Sequence, residues 1–135
     1  MTLVIAPLTA AALGILYIQL ALGVIKIRKS ERISLGMGDS DELQIAIRSH
    51  ANLAEWAPIG LILIIILEFN AAPFWLTGLP AIALVAGRAL HPKGLLSNSK
   101  ESFKTRTLGM QLTIYSILAL AALNIIWMVV RFFYN

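Results

Sequence analysis

The sequence predicts an all-α integral membrane protein, a single bundle of four transmembrane helices formed by residues 1–135. Of these residues 59% are hydrophobic and only 13% are charged, and the mean hydropathy is +0.81. A water-soluble core of this size cannot hide that much apolar surface, so the surrounding solvent must be lipid. Four apolar runs each approach the ~20 residues that span about 30 Å of hydrocarbon. The runs are Leu3–Ile25, Leu53–Phe69, Phe74–Leu90 and Leu108–Val130.

The first run is interpreted as a retained transmembrane helix. Met1 and Thr2 provide no basic segment before it, and the run is longer than the apolar part of a signal peptide. The chain also contains no cysteine. If thiol chemistry takes place here, the thiol must therefore arrive with a ligand.

Local signals predict where the second and third helices begin and end. Asp39, with Glu42 three residues later, resembles a capping box, so the second helix is expected to begin near Ser40, well before its apolar run. Pro73 is expected to open the third helix, and the proline and glycine of residues 92–94 to end it.

The fourth helix is predicted to start at Thr105 to Arg106. It is expected to finish in an aromatic tail over Trp127–Tyr134, because aromatic side chains favour the membrane interface. These boundaries account for the whole chain as one bundle without a second domain.

Lysine and arginine are concentrated in two of the three connections between helices. The connection between the second and third helices contains neither, and the termini together contribute only Arg131. Positive-inside bias therefore predicts that both basic connections face the cytoplasm and that both termini lie outside. Because topology explains these positions, membrane lipid is the expected partner and no nucleic acid is predicted. The basic residues are Lys26, Arg28, Lys29 and Arg32 after the first helix, and Lys93, Lys100, Lys104 and Arg106 after the third.

The start of the second helix carries a polar stripe made of Arg48, Asn52 and Glu55. At about 100° per residue these side chains fall within about 60° of one another. Glu55 lies roughly 10 Å beyond Arg48, inside the membrane, where a charge costs several kcal/mol unless it is paired or hydrated. The candidate partners at the same level of neighbouring antiparallel helices are Arg88, His91 and Arg106.

Three arginines facing one carboxylate predict a net positive site open to the cytoplasm. Such a site suits a small anionic ligand, since arginine binds carboxylates bidentately and stays charged when partly desolvated. The alternative is that the charges only fix helix register or subunit contacts. For His50 a structural hydrogen bond is weighed above ligand contact, and Glu68, near the far interface, is expected to be solvated. No metal is predicted, because two histidines on different helices do not form a recognisable ligand set.

Three separated motifs resemble those of the MAPEG family, the membrane-associated proteins in eicosanoid and glutathione metabolism. Residues 48–58, RSHANLAEWAP, resemble the signature of its second helix, and residues 88–91, RALH, that of its third. Arg106-Thr107 resembles the arginine motif of its fourth helix. The resemblance implies a homotrimer that binds glutathione between subunits near the cytoplasmic side, with a lipophilic substrate approaching from the membrane.

The resemblance also assigns roles to residues. Arg106 corresponds to the catalytic arginine that stabilises the glutathione thiolate. Compared with the prostaglandin-synthesising branch of the family, an arginine is replaced by Ala51, and two tyrosines that help to hold glutathione are replaced by Leu95 and Met110. With Arg88 added from its position in the helix, the expected glutathione-binding residues are Lys26, Arg48, Asn52, Glu55, Arg88, His91 and Thr107.

The sequence therefore predicts a bacterial inner-membrane member of the general glutathione transferase or peroxidase kind, acting on lipophilic electrophiles or lipid hydroperoxides. The first alternative is a non-catalytic lipid-binding or scaffold protein, as in the branch of the family that binds a lipid without transforming it. The second is a small four-helix multidrug transporter. A proton-coupled transporter of that class needs a carboxylate in its first helix, and none is present.

Overall fold

The computed structural model describes residues 3–95 and 100–134, and within these ranges the chain forms four α-helices and no strand. Each helix is long and apolar enough to cross a membrane. Many large apolar side chains lie on the outside of the bundle, where lipid can surround them. The prediction of an all-α, multi-pass membrane protein is confirmed. The helices are α1 (Ile5–Glu31), α2 (Asp41–Phe69), α3 (Phe74–Lys93) and α4 (Lys100–Tyr134).

Two helices are longer than the sequence predicted. α1 continues for more than a turn beyond its apolar run and ends at Arg32, whose φ of 57° is left-handed. α4 begins at Lys100, more than a turn before the predicted start at Thr105. Hydropathy marks only the part of a helix that lies in hydrocarbon, whereas backbone hydrogen bonding continues through the polar turns that follow. Lys26 is therefore part of a helix, and Arg106 lies in the second turn of α4.

The start of α2 is confirmed, but its cap is not the predicted one. Ser40 is the N-cap residue, and its Oγ accepts a hydrogen bond from the backbone N–H of Leu43 at 3.1 Å. Asp39 is exposed and precedes the cap. Leu43, whose amide donates to the cap, is fully buried in the core.

α3 and α4 approach each other closely along a seam of glycines. A Cβ atom added to Gly87 would lie 2.6 Å from Oγ1 of Thr113, and one added to Gly109 would lie 2.8 Å from the backbone nitrogen of His91. Small residues allow helix backbones to approach in this way inside a membrane. The seam fixes the register in which α3 presents its polar residues to α4. The apolar core of the bundle includes Leu53, Ile64, Leu67, Ala81, Leu84 and Leu120.

Glu68 ties the end of α2 to the start of α1, so the expectation that it is solvated is wrong. Its carboxylate is 8% exposed and accepts hydrogen bonds from the backbone N–H groups of Val4, Ile5 and Ala6 at 3.0, 2.8 and 2.6 Å. The first amides of a helix have no acceptor within the helix and form its positive end. The Glu68 carboxylate gives these amides acceptors and places a negative charge at the positive end of the helix.

The same end of the bundle is closed by side chains of α4. Trp127 Nε1 and Arg131 Nη1 both donate to the backbone carbonyl of Asn70, at 2.8 and 2.9 Å. Asn124 Nδ2 donates to the backbone carbonyl of Leu63 at 3.1 Å. These bonds attach α4 to the end of α2 and to the turn that follows it.

Candidate functional site

Arg88 lies between α2, α3 and α4, in the half of the bundle that the sequence predicts to face the cytoplasm. It is 1% exposed, and its Nε donates to Oγ1 of Thr113 at 2.8 Å. Its Nη1 donates to Oδ1 of Asn52 and, at 3.5 Å, to the backbone carbonyl of the same residue. Its Nη2 is buried and has no hydrogen-bond partner among the described residues. The guanidinium is thus held firmly on one side and left unpaired on the other.

His91 follows Arg88 by nearly one helical turn and is also buried, at 4% exposure. Neither of its ring nitrogens has a hydrogen-bond partner in residues 3–95 and 100–134. Buried polar atoms are rarely left unpaired in a native protein unless a ligand or water completes them. Arg88 and His91 together present three such nitrogen atoms.

The other predicted site residues lie on the surface of the single chain. Asn52 is buried against Arg88 as described, whereas the remaining five are exposed. Thr107 donates its hydroxyl hydrogen to the carbonyl of Phe103, one turn earlier in α4. The exposed residues are Lys26, Arg48, Glu55, Arg106 and Thr107.

The expected pairing of Glu55 with a buried arginine is not what the structure contains. Glu55 is exposed, and the described part of the chain gives it no ion pair, while Asn52 is the α2 side chain that meets Arg88. The angles explain the difference. Arg48 and Glu55 lie about 40° and 60° to the same side of Asn52, so the residue at the edge of the stripe faces α3 and the other two turn away.

The sequence pattern did not predict the contacts of two residues in this region, Thr113 and His50. Thr113, which the sequence did not assign to the site, accepts the hydrogen bond from Nε of Arg88. Its position two turns after Arg106 was the available signal. His50 packs on Tyr17, with ring centroids 4.4 Å apart and the rings tilted by 48°, and its Nε2 lacks a described hydrogen-bond partner. The structural hydrogen bond considered for His50 is therefore not found.

The arrangement of motifs on α2, α3 and α4 can be compared with known proteins. The model of the MAPEG family matches residues 6–126. This chain belongs to the MAPEG family. It is 32% identical over 124 residues to the inner membrane protein YecN of Escherichia coli K12, a match that covers 92% of each chain. The YecN protein of Escherichia coli O6:H1 gives the same identity and coverage.

The MAPEG assignment and the four spanning helices establish a multi-pass membrane protein. YecN is named for its location in the inner membrane, and its name gives no activity. Within the two described ranges, no group of three or more histidine, aspartate or glutamate side chains is placed to hold a metal ion. The cations, amides and hydroxyls of this MAPEG chain suit binding of an anion.

Proposed function

We propose that this protein is a membrane glutathione-dependent transferase or peroxidase that acts on lipophilic electrophiles or lipid hydroperoxides. The observation that carries the proposal is the pair Arg88 and His91, which presents three buried nitrogen atoms without described partners at the end of the bundle where the cations gather. An anionic ligand that also carries a hydrogen-bond donor would pair the guanidinium and both nitrogens of a neutral imidazole, and would neutralise the excess positive charge.

Arg88 and the exposed charged residues predicted for the site fit glutathione, which has two carboxylates, one ammonium group and a thiol. Lys26, Arg48 and Arg88 supply cations for the carboxylates, and Glu55 supplies an anion for the ammonium group. Lys26, Arg48 and Glu55 face outward from a single chain. A neighbouring copy covering that face would bring them into an enclosed site, which supports a homotrimer with glutathione bound between subunits.

Bound glutathione supplies a thiol, whose sulfur forms a bond to the electrophilic carbon while the leaving group departs. A free thiol has a pKa of about 8.5 and is mostly protonated at neutral pH, so the protein must favour the thiolate. Arg106 is the residue assigned to this task. Since α4 begins at Lys100, the unpaired amides of its first turn lie away from Arg106, and the guanidinium must act by its own charge rather than with help from the helix terminus.

The assignment of Arg106 is tested with Arg106→Leu and Arg106→Lys. Leucine should abolish the ultraviolet thiolate absorbance of bound glutathione and lower turnover of a reactive aryl chloride by at least about tenfold, or roughly 1.4 kcal/mol in the barrier. Lysine keeps the charge but loses the planar fork, so it should retain part of both signals. If leucine leaves both intact in a folded protein, Arg106 is not the catalytic residue.

Glutathione binding itself is tested by calorimetric titration of the detergent-solubilised protein with glutathione and with an S-alkyl analogue. The half-buried and apolar Leu95 and Met110, in place of two tyrosines, favour the lipid-binding alternative, because they remove two phenols that would hold the ligand. Heat from either compound supports the enzyme. No heat at millimolar concentration of both would favour the non-catalytic lipid-binding protein.

A further inference from the structure

A cleft separate from the candidate glutathione site opens between α1, α2 and α3 in the cytoplasmic half of the bundle. Its volume is about 620 Å³, within the range of sites that bind small molecules. Along α1 it extends from Leu16 to Ile27, a length of roughly 16 Å at the helical rise. The apolar residues that line it include Leu16, Leu20, Gly23, Ile27, Ala46 and Ala89.

Two residues of opposite charge stand at the cytoplasmic end of this cleft. Glu42 lies in the first turn of α2 and Lys93 is the last residue of α3, and both line the cleft. Both side chains are exposed, and neither forms an ion pair with a residue in the described ranges. The cleft thus combines an apolar interior with one free anion and one free cation at its mouth.

We propose that the cleft binds one acyl chain of a phosphatidylethanolamine molecule from the cytoplasmic leaflet. The ammonium group of the lipid would pair with Glu42 and its phosphate with Lys93. An anionic lipid without an amine leaves Glu42 unpaired beside its own phosphate, so the zwitterionic headgroup fits the two charges better.

The two charges favour a lipid over a helix from a second copy of the chain, because a zwitterionic headgroup supplies a partner of opposite charge for each of them. This proposal does not depend on glutathione binding, because none of the predicted glutathione-binding residues lines the cleft.

The chain offers a matched pair of glycines for the test. A Cβ atom added to Gly23 or to Gly14 meets nothing within 4 Å, so both positions of α1 accept a larger side chain without a clash. Gly23 lines the cleft, whereas Gly14 is exposed outside it. Gly23→Leu would place an isobutyl side chain across the middle of the cleft, and Gly14→Leu would add the same side chain to the same helix elsewhere. Leucine also has the higher helix propensity, which favours folding of both variants.

The full chain is reconstituted in vesicles containing phosphatidylethanolamine with a photoactivatable group in its acyl chain, and cross-linked peptides are mapped by mass spectrometry. We expect the label on the cleft residues of the unmodified protein, about tenfold less label there in Gly23→Leu, and no change in Gly14→Leu. Equal labelling of the cleft in both variants, or an equal loss in both, would overturn the proposal. Disulfide dimers of Gly23→Cys formed in the vesicles would also overturn it, because they would place a second copy at the cleft.

The headgroup is tested in the same vesicles with a matching photoactivatable phosphatidylglycerol. The unmodified protein should take more label from phosphatidylethanolamine, and Glu42→Gln should remove that preference while keeping the acyl-chain label. If the unmodified protein takes equal label from both lipids, Glu42 does not recognise an ammonium group and the proposal of a phosphatidylethanolamine site fails.

Discussion

The two ends of the bundle each bury a charged residue, and they treat it differently. At the far end, all three close partners of the Glu68 carboxylate are backbone amides of α1 that need an acceptor. At the cytoplasmic end, Arg88 is bonded to Thr113 and Asn52 on one side only, and both nitrogens of the adjacent His91 lack described partners. The three amides that face Glu68 thus have an acceptor, whereas Arg88 and His91 have buried nitrogen atoms without a partner among the described residues.

This difference separates a structural charge from a ligand-binding one. A buried charge whose hydrogen bonds are complete stabilises the fold, and its removal leaves partners unpaired. A buried charge with incomplete hydrogen bonds costs stability until something binds. Removal of the charge should therefore affect mainly stability at the far end and mainly affinity at the cytoplasmic end.

The largest effect on stability is expected at Glu68. Glu68→Leu leaves three amides of α1 without their acceptor and should lower the free energy of unfolding by about 3 kcal/mol, with a smaller loss for Glu68→Gln, which keeps one acceptor oxygen. Unfolding in detergent measures both. The matched control is Glu55→Leu, an exposed position of the same helix, for which a change within about 0.5 kcal/mol is expected. Equal losses at the two positions would remove the distinction between the ends.

Arg88 should show the opposite pattern. Arg88→Met fills the space of the side-chain stem but removes the guanidinium, so glutathione affinity should fall at least about tenfold, or 1.4 kcal/mol. The free energy of unfolding should change by no more than about 1 kcal/mol, because the lost hydrogen bonds are offset by relief of a half-paired buried charge. Arg131→Met, at the far end, should leave affinity unchanged. A large loss of stability with normal affinity would make Arg88 a structural residue.

Glu55 should have a smaller effect, confined to binding. Because it is exposed in the single chain, Glu55→Gln should leave the unfolding transition of the solubilised protein in place. It should weaken glutathione binding by about 1 kcal/mol through the loss of a charged partner for the ammonium group. Calorimetry with glutathione lacking its amino group provides the control, since the substitution should not affect that ligand. An equal loss for both compounds contradicts the assigned contact.

The smallest structural effect is expected for single cysteine substitutions that test which end of the bundle faces the cytoplasm. Cysteine at Ala71, in the turn between α2 and α3, should react with an impermeant maleimide added to intact cells, whereas cysteine at the exposed Ser34 should not. The chain has no cysteine of its own, so each label reports a single position. Ser97, in the second basic connection, would serve the same purpose but lies outside the described residues. Reversed labelling would place the candidate site outside the cell.

The sequence was sufficient to predict the four helices and the depth of the candidate site in the membrane. Both follow from hydropathy and charge, which depend directly on residue type. It placed Arg88 and His91 on one face of α3 and identified Asn52 as a neighbour. It did not predict which member of the α2 stripe would turn inward, since that depends on a rotation of about 40° set by packing. It also assigned Glu68 to solvent, because its partners are backbone atoms more than 60 residues away and leave no trace in side-chain patterns.

The bond between Glu68 and α1 has a consequence for how the protein enters the membrane. The cap of the first helix is encoded 62 residues after Ala6, so α1 cannot complete the hydrogen bonds of its first turn until α2 has been synthesised. While α1 is alone in the translocation machinery, those amides must stay at the aqueous boundary, since unsatisfied amides are costly in hydrocarbon. α1 and α2 should thus integrate as a helical hairpin, in which the arrival of the second helix locks the first at its final depth.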